Sequence, residues 1–298
     1  MPAAKWADAL TTARGKARAA VAPGKLETLW LNTGTLCNIE CANCYIESSP
    51  RNDRLEYLRT AEIRPFLDEA REMGASEIGF TGGEPFMNPD LLVMASECLE
   101  RGFSVLILTN AMAPMMNRQR ELLDLLARGG RGLRLRLRVS LDHHTAAVHD
   151  AERGAGAFDK TLAGLRWLLD SGFDASVAGR AFVDEDESAA RAGYRRVIGR
   201  EVALTVFPEM GADAELPEIT TECWGLLGKA PESVMCASSR MVVKRRGSAA
   251  PALVACTLIP YDARFELGGT VRESWRPVAL AHPHCASFCV LGGGSCAA

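Results

Sequence analysis

The chain has 298 residues, 48% of them hydrophobic and 24% charged, with a formal net charge of -3 and a pI near 6.0. That length suits one large domain with a smaller appendage. A balanced charge and few aromatics argue against nucleic acid as a partner, and no apolar run reaches the roughly 18–20 residues that would span a membrane.

Residues 1–26 are Ala-rich and basic but have no apolar core resembling a signal peptide. They predict an N-terminal helical extension and a cytoplasmic chain. From residue 27 onward, apolar runs alternate with helical patterns. ETLWLNT reads as a strand, followed by a cysteine loop and the helix TAEIRPFLDEAREMG. SEIGFTGG is a second strand; NPDLLVMASECLERG follows, with Asn88 as cap, Pro89 at the first helical position and Gly102 as stop. SVLILTN, LRLRLRVSLD, DASVAGRAFV and EVALTVFPE continue the strands, with RQRELLDLLARGG and DKTLAGLRWLLDSG as intervening helices. Six strands joined in this way predict an α/β fold, an incomplete (β/α)6 barrel of TIM type over residues 27–212.

In such barrels the chemistry gathers where strands end, and the unusual residues obey that rule. Cys37, Cys41 and Cys44 follow the first strand, Gly82, Gly83, Glu84 and Pro85 the second, Thr109 and Asn110 the third, Ser140 and Asp142 the fourth, and Arg180 the fifth. Along the fourth strand Leu133, Leu135, Leu137, Val139 and Leu141 share one face, and Arg134, Arg136, Arg138, Ser140 and Asp142 share the other. The leucine face packs on helices, so the polar face points into the lumen, where a basic lining suits an anionic or zwitterionic ligand. Arg134 and Arg136 are expected to pair with carboxylates at the lower end, Ser140 and Asp142 to meet a ligand at the upper end.

Residues 213–298 break the pattern and predict a small cysteine-rich domain. ELPEITTECWGLLG suggests a capped helix, and MCASSRMVVKRRG with PALVACTLIPYD a hairpin carrying Cys236 and Cys256. The chain has ten cysteines; Cys98 and Cys223 stand apart from the rest and read as buried apolar residues. In a reducing compartment such a number argues for metal over disulfides. CxxxCxxC offers three thiolates on one loop, one short of a structural zinc site, but enough for three irons of a cubane with the fourth left open.

CNIECANCY at residues 37–45, followed by TGGEP after the next strand and SLD at 140–142, resembles the radical SAM superfamily across residues 27–212. The resemblance implies that Cys37, Cys41 and Cys44 hold a 4Fe–4S cluster whose open iron chelates S-adenosylmethionine. It implies that Gly82, Gly83, Glu84 and Pro85 receive the methionine ammonium, that Ser140 and Asp142 reach the ribose and methionine end, and that Arg180 meets the carboxylate. Asn110, at the end of the third strand, joins this cofactor set. Where the family usually carries an aromatic beside the third cysteine, this chain has Asn43, with Tyr45 one step on. The closing run CASFCVLGGGSC resembles the auxiliary-cluster extensions called SPASM and Twitch. That likeness implies one further iron–sulfur cluster on Cys256, Cys285, Cys289 and Cys296, with Cys236 in reserve; His282 and His284 beside Cys285 leave zinc as an alternative. The expected activity is reductive cleavage of S-adenosylmethionine to a 5′-deoxyadenosyl radical that takes hydrogen from a small polar metabolite, with net oxidation or rearrangement. A ribosomally made peptide is the alternative substrate, and flavodoxin or ferredoxin the expected kind of reductant. An iron–sulfur electron carrier or metal sensor explains the cysteines but not GGEP or the polar lumen.

Overall fold

Strand β1 (Thr28–Asn32) shows how an apolar run becomes a barrel wall. Leu29 and Leu31 face outward into the core shared with the helices, while Trp30 points inward against residues of the C-terminal segment. The computed structural model describes residues 4–129, 134–181, 186–208 and 216–295. Helix α1 (Thr60–Glu72) leads to β2 (Glu77–Thr81), α2 (Leu91–Glu100) to β3 (Ser104–Thr109), and α3 (Gln119–Gly129) to β4 (Leu135–Ser140). Helices α4 (Ala146–Arg153) and α5 (Ala157–Asp170) precede β5 (Asp174–Arg180), and α6 (Glu187–Ile198) precedes β6 (Leu204–Phe207). All six strands pair in parallel and in chain order, as expected of the incomplete barrel. Register sets Trp30, Gly79, Leu106 and Arg136 side by side in one layer. A methyl group on Gly79 would lie 2.4 Å from the Trp30 ring, so that layer needs glycine beside the indole.

The hairpin predicted for the C-terminal segment forms as β7 (Ser239–Val243) and β8 (Ala252–Val254), but it is not separate from the barrel. Strand β7 pairs in parallel with β1, and β9 (Glu266–Gly268) follows β8, giving one sheet of order β9-β8-β7-β1-β2-β3-β4-β5-β6.

Several expectations need correcting. Residues 4–26 contain no helix. Asp8 Oδ1 takes the N–H groups of Leu10 and Thr11 in a turn, Arg18 pairs with Glu218 at 2.6 Å in the interior, and Ala20–Val21 pairs antiparallel with Val278–Ala279. Long-range pairing has overridden alanine's helix propensity. Asn88 does not cap α2, whose first turn starts after Asp90. It is fully buried instead, and its amide donates to the carbonyls of Leu58 (2.9 Å) and Thr33 (3.3 Å). The helix expected in ELPEITTECWGLLG shortens to Cys223–Leu227.

The parity of β4 holds where it is described: Leu135, Leu137, Val139 and Leu141 belong to the helix-facing core. Leu133 lies outside the described residues. Arg136 pairs with Glu77 as expected, whereas Arg134 donates to the main-chain carbonyls of Leu99 and Phe103. Among the described residues no helix is long and apolar enough to cross a membrane.

Candidate active site

The loop after β1 is closed at its neck by a bridge between Leu36 and Ser49, with Cys37 N–H donating to Ser49 O at 3.1 Å. Within it, Cys37, Cys41 and Cys44 line one cavity of about 110 Å³ together with Tyr45, Gly82, Gly83, Pro85, Asn110, Ser140, Arg153 and Arg180. Of the predicted cluster-loop and cofactor residues, all but Glu84 and Asp142 thus line one cavity at the C-terminal ends of the strands. Burial, reinforced by Glu84 and the two other thiols, pushes the Cys37 thiol up to about 12, and burial raises Cys41 as well. Thiols so placed stay protonated unless a cation replaces the proton, and an all-sulfur set on one loop suits iron. Among the described residues no three Cys, His, Asp or Glu side chains converge on a single ion.

The two glycines join the loops after β1 and β2. Gly83 N–H donates to Gly34 O at 2.8 Å and Glu84 N–H to Leu36 O at 3.1 Å, so the loops after β1 and β2 are zipped together. A methyl group on Gly82 would lie 2.5 Å from Gly34 O, and one on Gly83 2.2 Å from Leu36 O. The pair is glycine because the cysteine loop sits against it.

Glu84 comes next in the same turn. It is 2% exposed, and its carboxylate accepts from Thr109 Oγ1 (2.9 Å), Asn110 N–H (2.8 Å) and Phe86 N–H (3.2 Å). It latches the end of β2 to the end of β3 behind the cavity wall. Burial outweighs these three donors and raises its pKa to about 7. A carboxyl that holds its proton more tightly when folded contributes stability that is complete below its unfolded pKa of about 4.3 and is lost as pH rises through 7. Urea unfolding between pH 5 and 8 should therefore show stability falling by up to about 3 kcal/mol, and Glu84→Gln should flatten that slope.

Asn110 turns its amide toward the cysteine loop, donating to Asn38 Oδ1 at 2.8 Å with Cys37 Sγ at 4.0 Å. Asn43 is exposed and bound to Glu152 Oε2 at 2.7 Å, which docks the loop on the end of α4, while Tyr45 enters the cavity wall. Asp142 is 3% exposed, and both its oxygens are taken: Arg153 forks onto them at 2.7 and 2.9 Å and Arg180 approaches at 3.3 Å. Burial opposes ionisation, but the two guanidiniums hold the carboxyl below its usual range. Asp142 therefore positions two cations at the rim, and Arg180 also reaches Asn43 O at 3.4 Å. Arg153 was not foreseen. Just before Gly154 it reads as an ordinary helix-end cation, and nothing local announces that α4 ends at the cysteine loop.

A second cavity of about 110 Å³ adjoins the first, sharing Tyr45, Leu108, Ser140, Arg153 and Arg180. Arg138, Asp142, Ala178, Gly179, Phe207, Leu258 and Phe288 complete its described wall. Behind Leu258 lies an apolar pocket lined by Cys236, Cys256, Cys285 and Cys289, where burial pushes Cys236 up to about 11 and raises Cys285 well above its usual value. Cys285 and Cys289 stand in a wide helical coil, Cys285–Leu291. Cys236, held in reserve on sequence, stands with the other three, whereas Cys296 lies outside the described residues. His284 sets Nδ1 3.1 Å from Leu258 O, and His282 Nδ1 accepts the His284 N–H, so both imidazoles are engaged in the turn.

The family description "Radical SAM superfamily" matches residues 31–190. The AdoMet-dependent heme synthase of Methanosarcina barkeri is 34% identical over 140 residues, 46% of this chain and 37% of that protein. The subtilosin biosynthesis protein AlbA of Bacillus subtilis is 32% identical over 150 residues, 49% of this chain and 31% of that one. Mycofactocin maturase MftC of Mycobacterium tuberculosis is 30% identical over 139 residues, 46% and 33% of the two chains. The matches thus span about a third of the length of these curated relatives. In fold the chain is similar to anSMEcpe with bound AdoMet (TM-score 0.61, 13% identity, 84% of this chain and 80% of that one). It is also similar to Streptococcus suis SuiB bound to precursor peptide SuiA (TM-score 0.57, 14% identity, 91% and 72%). Because the matched span covers more than half of its length and includes the three-cysteine loop, the chain belongs to the radical SAM superfamily, which uses a 4Fe–4S cluster and S-adenosylmethionine.

Proposed function

We propose that this chain is a radical SAM enzyme that abstracts hydrogen from a small polar substrate held in the second cavity. The observation that carries this reading is the adjacency of two cavities, one ringed by Cys37, Cys41 and Cys44, the other walled by guanidiniums and apolar side chains. When bound at the three cysteines, the cluster supplies the electron that cleaves S-adenosylmethionine to a 5′-deoxyadenosyl radical. The residues of this chain bind, orient and enclose. Tyr45 and Ser140, with Gly82 and Gly83 main chain, line the cofactor side; Arg153 and Arg180, aligned by Asp142, offer positive charge where the cavities meet. Leu108, Leu258, Phe207 and Phe288 keep water from the far wall, as a reactive radical requires. Cys236, Cys256, Cys285 and Cys289 form the best-supported set for an auxiliary iron–sulfur cluster.

A peptide substrate is the second reading, favoured by the names of relatives: a bacteriocin biosynthesis protein, a mycofactocin maturase, and a structural neighbour bound to a precursor peptide. Both readings share one test. Anaerobic protein with reconstituted clusters, dithionite and S-adenosylmethionine should release 5′-deoxyadenosine, and alanine at Cys37, Cys41 and Cys44 should reduce this to background. Absence of the nucleoside from cluster-loaded protein would refute the proposed activity. A deuterated small molecule or peptide that raises the yield and passes its deuterium to the 5′-deoxyadenosine separates the two substrates.

A further inference from the structure

Arg240, on β7, is fully buried among main-chain carbonyls. Its Nε donates to Ser274 O at 2.9 Å, one terminal nitrogen to Cys236 O (2.5 Å) and Ser239 O (2.7 Å), and the other to Arg276 O (3.0 Å). The guanidinium lies 4.7 Å from the centre of the Trp275 ring. Carbonyls satisfy its N–H groups but leave its charge uncompensated. Two other enclosed arginines do meet a carboxylate: Arg18 pairs with Glu218 and Arg153 with Asp142. Among the described residues no carboxylate oxygen pairs with Arg240. A buried, unpaired cation costs several kcal/mol, so its retention calls for an anion nearby.

The ionisable groups that act on Arg240 are the thiols of Cys236 and Cys256. Both line the four-cysteine pocket, and Cys236 also supplies one of the carbonyls that hold the guanidinium. Neutral thiols give Arg240 nothing to balance. Four thiolates around an iron–sulfur cluster carry a net negative charge, which grows by one when the cluster is reduced.

We propose that Arg240 is the buried counter-charge of an iron–sulfur cluster held by Cys236, Cys256, Cys285 and Cys289, and that it raises the reduction potential of that cluster. This rests on reading those four cysteines as an auxiliary-cluster site. The physical basis is Coulombic: in a low-dielectric interior a fixed cation favours the more negative, reduced state. Because Arg240 touches neither of the two rim cavities, it is a positioning and tuning residue, not a catalytic one.

The test uses the full chain with Cys37, Cys41 and Cys44 replaced by alanine, so that only the C-terminal cluster remains, and compares Arg240 with R240K and R240Q. Lysine keeps charge and donors; glutamine keeps donors alone. Iron and sulfide counts establish loading, and spectroscopically monitored redox titration reads the midpoint. The expected result is a potential in R240K close to that of the parent, and in R240Q a tenfold lower ratio of reduced to oxidised cluster at fixed applied potential, equivalent to about 59 mV. Retention of iron in R240K with loss in R240Q also supports the proposal. Equal potentials in all three proteins, or loss of iron in both variants, would reduce Arg240 to a staple of four carbonyls and overturn it. If the parent with Arg240 intact binds no iron, the auxiliary-cluster reading itself fails and this proposal with it.

Discussion

Alanine at Asp142 is expected to cost about 3–5 kcal/mol of stability, because it strands Arg153 inside the protein without its partner. The Asp142 side chain is 4% exposed and that of Arg153 11%, so water offers little compensation. Arg153→Met alone should be nearly as damaging, since it removes the fork that keeps Asp142 ionised. The double variant should recover part of the loss, because no unpaired charge is left from that pair. Urea unfolding of the four proteins checks this; additive single costs would mean that the pair does not act as a unit. The pH dependence has a defined sign. The folded-state pKa of Asp142 is depressed, so its stabilisation is complete above the ordinary carboxylate pKa of about 3.9 and is lost as pH falls through the lower folded value. The acid limb of the stability profile should therefore shrink in Asp142→Ala. Release of 5′-deoxyadenosine should fall further than stability explains, because Arg180 loses the same anchor.

The second large effect is expected at Gly83. An added methyl would meet Leu36 O at 2.2 Å, Leu36 C at 2.6 Å and Thr35 O at 2.8 Å, all main-chain atoms with no rotamer to retreat to. Overpacking of this kind costs about 1–3 kcal/mol or more. The displaced residue, Leu36, precedes the first cysteine of the loop, so Gly83→Ala should also lower iron retained per chain after reconstitution. Gly154→Ala is the control: its φ of +98° and ψ of 152° favour glycine but nothing lies within 4 Å, so it should show backbone strain of about 1–3 kcal/mol with full iron loading. Equal iron in both variants would mean that contact between the two loops does not shape the cysteine site.

The barrel was legible because its strands are short apolar runs with helical patterns between them, a signal that survives without tertiary information. The rim was legible because strand ends carry the polar residues and CxxxCxxC names its own chemistry. What stayed hidden depends on partners distant in sequence. Nothing near Ala-rich residues 4–26 shows that Arg18 will bury itself against Glu218, two hundred residues away, and pull that segment out of a helix. Glu84 reads as a ligand-binding carboxylate, and nothing local announces that Thr109 and Asn110 donate to its oxygens. Asp142 reads as a ligand contact, and nothing local announces the two arginines that lie on it. Cys236 could not be ranked against its neighbours, because the pocket joins three stretches of chain whose mutual placement follows from the sheet.

The insertion of β7 beside β1 also has a consequence during synthesis. Strand β1 is made early, yet the neighbour that covers one of its edges, Ser239–Val243, emerges some two hundred residues later. Until then the nascent barrel presents an uncovered row of N–H and C=O groups next to the cysteine loop. The antiparallel hairpin of β7 with β8, which sets Met241 opposite Val254, is what brings Cys236 toward Cys256. A ribosome-bound chain halted before residue 239 should be the aggregation-prone and oxidation-sensitive species, and a chain halted beyond β9 should not.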